Sequence, residues 1–573
     1  MKTLLVGINA SYMHTCLAVR SIASYCHIPF VEFTINQNVT EILRGIEKEK
    51  PDVLMFSVYI WNAEITCKII SDIKKILPKV TVICGGPEIS YSAEKYFLLL
   101  DELDLVVKGE GERIVKKICD AFKNKTKDEF LQKENLELIK GIYFRNQNKI
   151  CFTGDEELIC SLDELAFAYP ELIFQKGEVS PLEKNPVLEN KIYYYESSRG
   201  CPYSCAYCLS SIDKRIRFMP VERVFADLQI FLDAAVPLVK FVDRTYNLDS
   251  KRYLAIWKYI VEHHNKKTMF HFEIEAEYLS DESLEFLQSV PQGVMQFEIG
   301  VQSANKKTLR AINRSDNIEK LAENVKRIPR TIHQHLDLIA GLPYEDLESF
   351  GKSFDFVMSL KPDALQLGFL KILSGTSMET FAKENGWQWM KNPVYETFST
   401  PYLSYEDTIF LKDVEVITDA YWNSGVFVHS INYIFRMMNP WKFFESMVLF
   451  ARNKDVFSAA RRETFWFELL NDWLNSKEVE NVLLLTKKFS EVLYELLRYD
   501  FVLRGKQGGY PLWYEHHYDK EKHRELLEKN GGVKNARLDF AFSEYEVFSY
   551  DVDSVEPEKS KGKYEKLIFY KRK

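Results

Sequence analysis

The chain has 573 residues, of which 46 % are hydrophobic, 14 % aromatic and 28 % charged. That balance excludes disordered, collagen-like and disulfide-stapled classes, and at about 150 residues per domain the length predicts roughly four domains. The net charge of −8 argues against a protein whose main task is gripping phosphate backbones, so no nucleic-acid partner is expected. No uninterrupted apolar run approaches the roughly 18 residues of a membrane span, and the opening MKTLLVGINASYMH reads as a first β-strand, not a signal peptide. The expectation is a cytoplasmic protein with no membrane partner.

Residues 1–123 alternate with a βα rhythm. Apolar runs at Lys2–Asn9, Ile28–Asn36, Asp52–Ile60, Val80–Pro87 and Leu103–Glu110 are each followed by helical spacing, as in Ala63–Leu77 and Glu112–Phe122. Near-continuous apolar strands with intervening helices predict a parallel sheet covered on both faces, and five such units fit an α/β, flavodoxin-like doubly wound sheet. Ligands of such sheets bind beyond the carboxyl ends of the strands, where the winding reverses. Those ends carry Asn9, Ser57, Gly85-Gly86 and Gly109-Glu110-Gly111, and the glycines suit close backbone approach to a ligand.

Residues 124–190 break the rhythm. Gly141–Arg145, a turn at Asn146-Gln147-Asn148 and Lys149–Thr153 predict a β-hairpin within an interdomain linker, whose irregular end is marked by Tyr169-Pro170 and Pro181. A second series begins at Lys191, with strands expected at Ile192–Ser197, Leu238–Val242, Met269–Ala276, Val294–Gly300, Thr331–Ala340 and Ala364–Ile372. Helical stretches such as Val221–Ala235, Arg252–His263 and Asp346–Leu360 separate them. Six units predict a partial (βα)6, TIM-like barrel over 191–395, with its chemistry at the strand C-termini. From 396 to 573 the alternation stops. Seven of the nine tryptophans lie at or beyond Trp387, and Ser404–Asn423 and Ser476–Arg498 have helical spacing. A mainly helical C-terminal domain is expected, ending in a solvated basic stretch, Lys559–Lys573.

Ten cysteines are too few for a disulfide framework. Cys16, Cys26, Cys67, Cys84, Cys119, Cys151 and Cys160 are scattered and read as small hydrophobes. Cys201, Cys205 and Cys208 are crowded onto one loop, Ser197-Ser198-Arg199-Gly200-Cys201-Pro202-Tyr203-Ser204-Cys205-Ala206-Tyr207-Cys208, directly after the first strand of the second series. Three thiolates at C-x3-C-x2-C spacing hold three irons of a cubane cluster and leave the fourth open to chemistry. A structural zinc site wants four ligands. With no histidine between His27 and His263, its fourth would have to come from afar.

These cysteines, Tyr207 before the third of them, and the six-unit βα pattern around them resemble the radical S-adenosylmethionine (SAM) superfamily. The resemblance implies a [4Fe-4S] cluster on Cys201, Cys205 and Cys208 whose open iron is chelated by SAM, and reductive cleavage of SAM to a 5′-deoxyadenosyl radical. It also implies an electron donor such as flavodoxin or ferredoxin. Three strand-end segments match the family's cofactor contacts: Phe241–Asn247, with Asp243 as acceptor for the methionyl ammonium; Glu298–Ser303, with Glu298 and Gln302 toward the ribose; and Ile339–Pro343, with Gly341 on the adenine side.

A flavodoxin-like domain before such a barrel is similar to the cobalamin-binding subgroup, the group that includes the anaerobic magnesium-protoporphyrin ester cyclase and cobalamin-dependent methyltransferases. Cys84-Gly85-Gly86-Pro87-Glu88 and Lys108-Gly109-Glu110-Gly111-Glu112 match segments of that subgroup. The implied corrinoid contacts are Asn9, Ser57, Gly85, Gly86, Glu110 and Gly111. There is no Asp-x-His-x-x-Gly motif. Tyr12 and Met13 precede His14, so a base-off corrinoid without a histidine ligand is expected. The implied reaction is methylation of an unactivated carbon of a small-molecule or peptide substrate: the adenosyl radical abstracts hydrogen, methylcobalamin delivers the methyl group and a second SAM remethylates it. Oxidative cyclisation uses the same architecture. A methylthiotransferase would need a second cluster, which Cys16, Cys67 and Cys84 imitate, and a basic C-terminal β-barrel, which the acidic helical tail does not offer. A non-enzymatic iron–sulfur or corrinoid carrier would not need the ribose and adenine segments. No residue is assigned to catalysis itself, and the role of the C-terminal domain and its Tyr510–Tyr514 segment stays open.

Overall fold

The computed structural model describes residues 2–123, 125–147, 149–175, 177–476, 479, 487–505, 509–529 and 543–569. The chain divides into one unit of Met1–His335, Gly341–Tyr344 and Phe369–Tyr402, and another of Leu336–Ala340, Glu345–Gly368 and Leu403–Lys573.

The first unit opens on β1 (Thr3–Asn9), β2 (Phe30–Thr34), β3 (Val53–Ser57), β4 (Thr81–Gly85) and β5 (Leu105–Val107), all parallel in the order 2-1-3-4-5. Every residue of β1 is buried, as an apolar run covered on both faces requires. The alternation of side chains sorts the core in two. Leu4, Val6, Ile8, Phe56 and Cys84 pack on one face, while Leu5, Met55, Ile83, Val107 and Cys16 pack on the other. The winding reverses between β1 and β3, which fixes where a ligand belongs. The hairpin expected in the linker is β6 (Ile142–Asn146) and β7 (Lys149–Phe152). It adds antiparallel to β5 and extends the sheet to seven strands; Asn148 of its turn lies outside the described residues.

The second series starts with β8 (Ile192–Tyr195). A short ladder of β9 (Ser198–Arg199) and β10 (Arg217–Phe218) then closes the base of the cysteine loop. β11 (Leu238–Phe241), β12 (Met269–Ile274) and β13 (Met295–Gln302) line up parallel in the order 8-11-12-13. β14 (His333–Ala340) and β15 (Ala364–Phe369) continue the alternation of strands and helices. Helices open on side-chain caps, Asp249, Ser280, Asn305, Asn317 and Asp346, each accepting from a backbone N–H of the first turn. In β13 burial alternates strictly, Met295, Phe297, Ile299 and Val301 buried and Gln296, Glu298, Gly300 and Gln302 less so. One face packs on helices and the other lines a polar lumen, unlike the doubly covered β1. The antiparallel pair β16 (Gln388–Trp389) and β17 (Thr397–Ser399) follows.

The tail is helical at Tyr405–Thr418, Val428–Ile434, Pro440–Arg452, Glu463–Leu474, Lys487–Leu503 and Lys520–Lys529. Ser404 and Asp407 form a capping box on the first of these, the expected start. Residues 477, 478 and 480–486 of the expected helix Ser476–Arg498 lie outside the described residues. Trp473, Phe443 and Phe444 are fully buried, so the aromatic content builds a core. The end is not a loose basic stretch: Tyr564–Phe569 is β19, antiparallel to β18 (Ser543–Phe548), while 570–573 are not described. Among the described residues no helix is long and apolar enough to cross a membrane.

Candidate active site and cofactor seats

The cysteine loop is held by backbone rather than by its thiols. Cys201 N donates to Asp213 O at 3.1 Å, Ala206 N to Ile312 O at 3.0 Å and Met378 N to Ala206 O at 2.9 Å. Asn313 Nδ2 donates to Ser204 O at 3.0 Å. Gly200, at φ +93°, lies so close to Arg215 that a Cβ would stand 2.1 Å from its carbonyl oxygen; only glycine allows this crossing. All three thiols are free. Arg314 reaches Cys205 Sγ at 3.9 Å while its Nη2 pairs with Glu275 at 2.6 Å and donates to Gly300 O at 2.8 Å. Three thiols outside any disulfide, with Cys201 Sγ 3.8 Å from Thr245 Oγ1 and Cys205 Sγ beside a guanidinium, fit an anionic thiolate-bound cluster.

Asp243 is buried, and both its oxygens are engaged by the start of this loop. Ser197 N and Oγ donate at 2.9 and 2.8 Å, and Ser198 Oγ at 2.9 Å with Ser198 N beside it. The expected donor for it was an ammonium; the donors present are these serines, and the cap of the following helix is Asp249. Tyr207 faces Arg314 and the thiols, its hydroxyl pushed up by burial. Gln302, at φ +66°, ends β13 with its buried Oε1 lacking a partner. That acceptor at the cysteine end of the lumen fits a hydroxyl or amino donor of a nucleoside. Gly341, at φ +89°, has Leu370 and Thr397 at ordinary contact distance from its Cβ position.

Glu298 sits deeper. Strand register sets Tyr194, Lys240, His271 and Gln296 in one row and Glu273 beside Glu298 in the next. Glu298 Oε2 pairs with Lys240 Nζ and with His271 Nε2, both at 2.9 Å. Burial raises its carboxyl, but the His271 hydrogen bond and the Lys240 charge outweigh it and hold the pKa at about 2, below the ordinary 4.5. The gap corresponds to about 3 kcal/mol of stability, present above about pH 4.5 and lost as pH falls toward 2. Glu298→Gln is therefore expected to lower the urea-unfolding free energy by about that amount at pH 7, and the deficit should shrink below pH 4.5. A deficit unchanged down to pH 3 would remove this account.

At the carboxyl end of the first sheet, the glycines divide by what a side chain would meet. A Cβ on Gly86, at φ +108°, would stand 2.6 Å from Val58 O and 2.8 Å from Val58 N; one on Gly111 would stand 2.6 Å from Ile22; one on Gly85 would touch Val107 at 3.5 Å. Gly109, at φ +87°, has nothing within 4 Å. Gly86 is thus required by backbone packing within the domain, Gly111 would crowd only the tip of the Ile22 side chain, Gly85 has room for a Cβ, and Gly109 faces open space. Asn9 Nδ2 donates to His14 O and Glu32, and Ser57 O accepts from Asn62. Glu110 pairs with Arg217 at 2.7 Å, and Glu112 pairs with Arg199 at 2.9 Å. The acids of the Gly-Glu-Gly-Glu segment therefore grip arginines at the base of the cysteine loop. Arg314, Glu275 and Lys240 carry no local signal in the sequence, whereas Glu112 and Arg199 stand in the Lys108–Glu112 and Ser197–Cys208 segments without a role assigned to them there.

The same end exposes Tyr12, Met13, Trp61 and Tyr91 on the loops after β1, β3 and β4. Exposed apolar side chains on these loops fit a large planar ligand such as a corrin. His14 Nδ1 is hydrogen-bonded to the Tyr194 hydroxyl at 2.6 Å, and the rings are stacked. Cys16 and Cys84 lie on opposite faces of the sheet, so with Cys67 they cannot hold a second cluster, and the methylthiotransferase requirement fails.

Residues 3–118 match the B12 binding domain family and residues 195–357 the radical SAM superfamily. The chain carries a B12-binding domain and a radical SAM domain. It is an enzyme, and its cofactors are a [4Fe-4S] cluster, SAM and cobalamin. Residues 383–569 match a family described as a protein of unknown function. An uncharacterized methyltransferase of Pyrococcus horikoshii is 24 % identical over 60 % of this chain and 72 % of its own length. The anaerobic magnesium-protoporphyrin IX monomethyl ester cyclase of Synechocystis is 22 % identical over 73 % of this chain and 79 % of its own. The cobalamin-dependent radical SAM methyltransferase TokK of Streptomyces tokunonensis is 24 % identical over 54 % of this chain, which spans only 45 % of that protein. The fold is that of OxsB, solved with aqua-cobalamin and S-adenosylmethionine bound, with TM-score 0.59 at 14 % identity over 87 % of this chain and 83 % of that one.

Proposed function

We propose that this B12-binding radical SAM enzyme methylates an unactivated carbon of a small-molecule or peptide substrate. The reading divides the chain into a corrinoid domain (1–123), a linker with the hairpin (124–190), a radical SAM barrel (191–395) and a C-terminal domain (396–573). One observation supports it: the carboxyl ends of the two sheets, where the reading seats the cofactors, approach each other. Tyr59, two residues beyond Ser57, lies in electrostatic reach of Arg244 and Glu196 at the carboxyl ends of β11 and β8, and His14 is bonded to Tyr194 of β8. A substrate between them meets both.

When bound, the reduced cluster splits SAM and cobalamin carries the methyl group. The chain's own residues hold and orient. Cys201, Cys205 and Cys208 ligate the cluster, with Asp243 fixing the start of their loop and Arg314 facing Cys205. Gln302, Tyr207 and Gly341 border SAM, and Lys240, Glu273, Glu298 and His271 form a polar floor for substrate. Gly109 and the loops after β1, β3 and β4 seat the corrin. The corrin would be held without a histidine ligand, because Tyr12 and Met13 precede His14 where the Asp-x-His-x-x-Gly motif would have its acid. A cytoplasmic location and electron supply by flavodoxin or ferredoxin, with neither nucleic acid nor membrane as partner, complete the reading.

The test is anaerobic turnover with methyl-labelled SAM in extract of a deletion strain. Methylation is expected to yield 5′-deoxyadenosine, S-adenosylhomocysteine and one newly labelled metabolite. 5′-Deoxyadenosine with neither labelled metabolite nor S-adenosylhomocysteine would replace methyl transfer by cyclisation.

A further inference from the structure

We infer that the C-terminal domain holds a divalent first-row metal ion, of the zinc class, on His516, Glu544 and Glu546. Glu544 and Glu546 are two apart on β18, so they share one face, and both are buried, at 2 % and 0 % exposure. His516 comes from the segment after Tyr510–Tyr514. Its Nε2 stands 2.8 Å from Glu544 Oε1 and 3.3 Å from Glu546 Oε1. One imidazole nitrogen and two carboxylate oxygens, all within 4.8 Å of one another, converge on one point. An imidazole with two carboxylates selects zinc or a neighbouring transition ion over magnesium or calcium, which prefer all-oxygen shells.

The surroundings point the same way. Both carboxylates are held by further hydrogen bonds, as metal ligands are: the Tyr510 hydroxyl donates to Glu544 Oε1, the oxygen that also faces His516, and Arg498 Nη2 donates to Glu546 Oε2 at 2.6 Å. Arg498 is itself shared with buried Glu495 at 2.8 Å, so one guanidinium serves two carboxylates, and Glu546 Oε1, which accepts from His517 N at 3.3 Å, lies toward His516. An independent pointer is Tyr514. It is 92 % buried, since its exposure is 8 %, and its hydroxyl approaches Glu546 without forming a well-aligned hydrogen bond among the described residues. A buried hydroxyl so placed needs a better partner, and a water on the open side of a three-ligand ion supplies one. The ion would staple the aromatic segment to the β18–β19 ladder, which gives Tyr510–Tyr514 a role.

The experiment uses the full-length reconstituted protein, whose cluster cysteines are occupied by iron. After washing with chelator, Zn2+ is titrated by calorimetry, with Mg2+ as a second arm, and the zinc shell is read by X-ray absorption. One zinc per chain with a nitrogen and oxygen shell is expected, without sulfur, and no Mg2+ heat. Glu544→Gln with Glu546→Gln, and separately His516→Gln, should each weaken zinc affinity by about 100-fold or more at unchanged iron content and far-ultraviolet dichroism. The partly exposed His516 keeps the test open if the double variant fails to fold. No saturable zinc, a sulfur-containing shell, or wild-type affinity in folded His516→Gln overturns the site.

Discussion

Changing Cys201, Cys205 and Cys208 together to alanine is expected to take iron from about four per chain to near zero and to abolish 5′-deoxyadenosine formation. The structure makes this a clean experiment. The loop is fixed by main-chain bonds to Asp213, Ile312 and Met378 and by the Asn313 amide, and by the serines that Asp243 anchors. None of these involves a thiol. Cys201 is the most buried of the three at 8 % exposure, and removing one small sulfur from a packed site costs about 1 kcal/mol. The triple variant should therefore keep its far-ultraviolet dichroism and still bind cobalamin, because the corrin seat lies at the other sheet. Iron near four per chain in that variant would end the cluster assignment.

The second large effect separates two glycines that look alike in sequence. Gly86→Ala should destabilise the protein in the absence of any corrinoid. The backbone at φ +108° costs about 1–3 kcal/mol for a residue with a Cβ, and overlap with the Val58 peptide adds about 1–3 kcal/mol more. Gly109→Asn should do the reverse. Asparagine tolerates positive φ best after glycine, and nothing stands within 4 Å of the Cβ position, so the fold should persist while cobalamin affinity falls at least about tenfold. Equal unfolding midpoints for wild type and Gly86→Ala without corrinoid would refute the packing argument. Undiminished cobalamin binding in Gly109→Asn would remove that glycine from the seat.

Sequence alone determined the two βα series, the parallel flavodoxin-like sheet and the three-thiol loop with its iron–sulfur chemistry, while SAM and cobalamin followed from the resemblance those segments carry. Each rests on local information: apolar runs buried on both faces, helical spacing between them, and three thiols within one turn of chain. What the chain's local pattern could not decide is which atom meets which. Asp243, Glu110 and Glu298 are acids near strand ends or within a strand, and nothing local tells that serines, arginines and a lysine–histidine pair would claim them. Gly85, Gly86, Gly109 and Gly111 all permit close approach, but only the position of β3, β5 and the helix at Leu17–Cys26 decides which approach is to protein and which to open space. The hairpin at 142–152 was legible as a hairpin, yet its docking on β5 depends on an unpaired sheet edge that sequence does not display. The β19 strand was hidden for a related reason: its lysines and glutamates read as a solvated end, and only pairing with β18 provides the partner that makes it a strand. The sequence thus determined the elements and the cluster chemistry, while long-range pairing of buried charges and of backbone with backbone decided what each residue does.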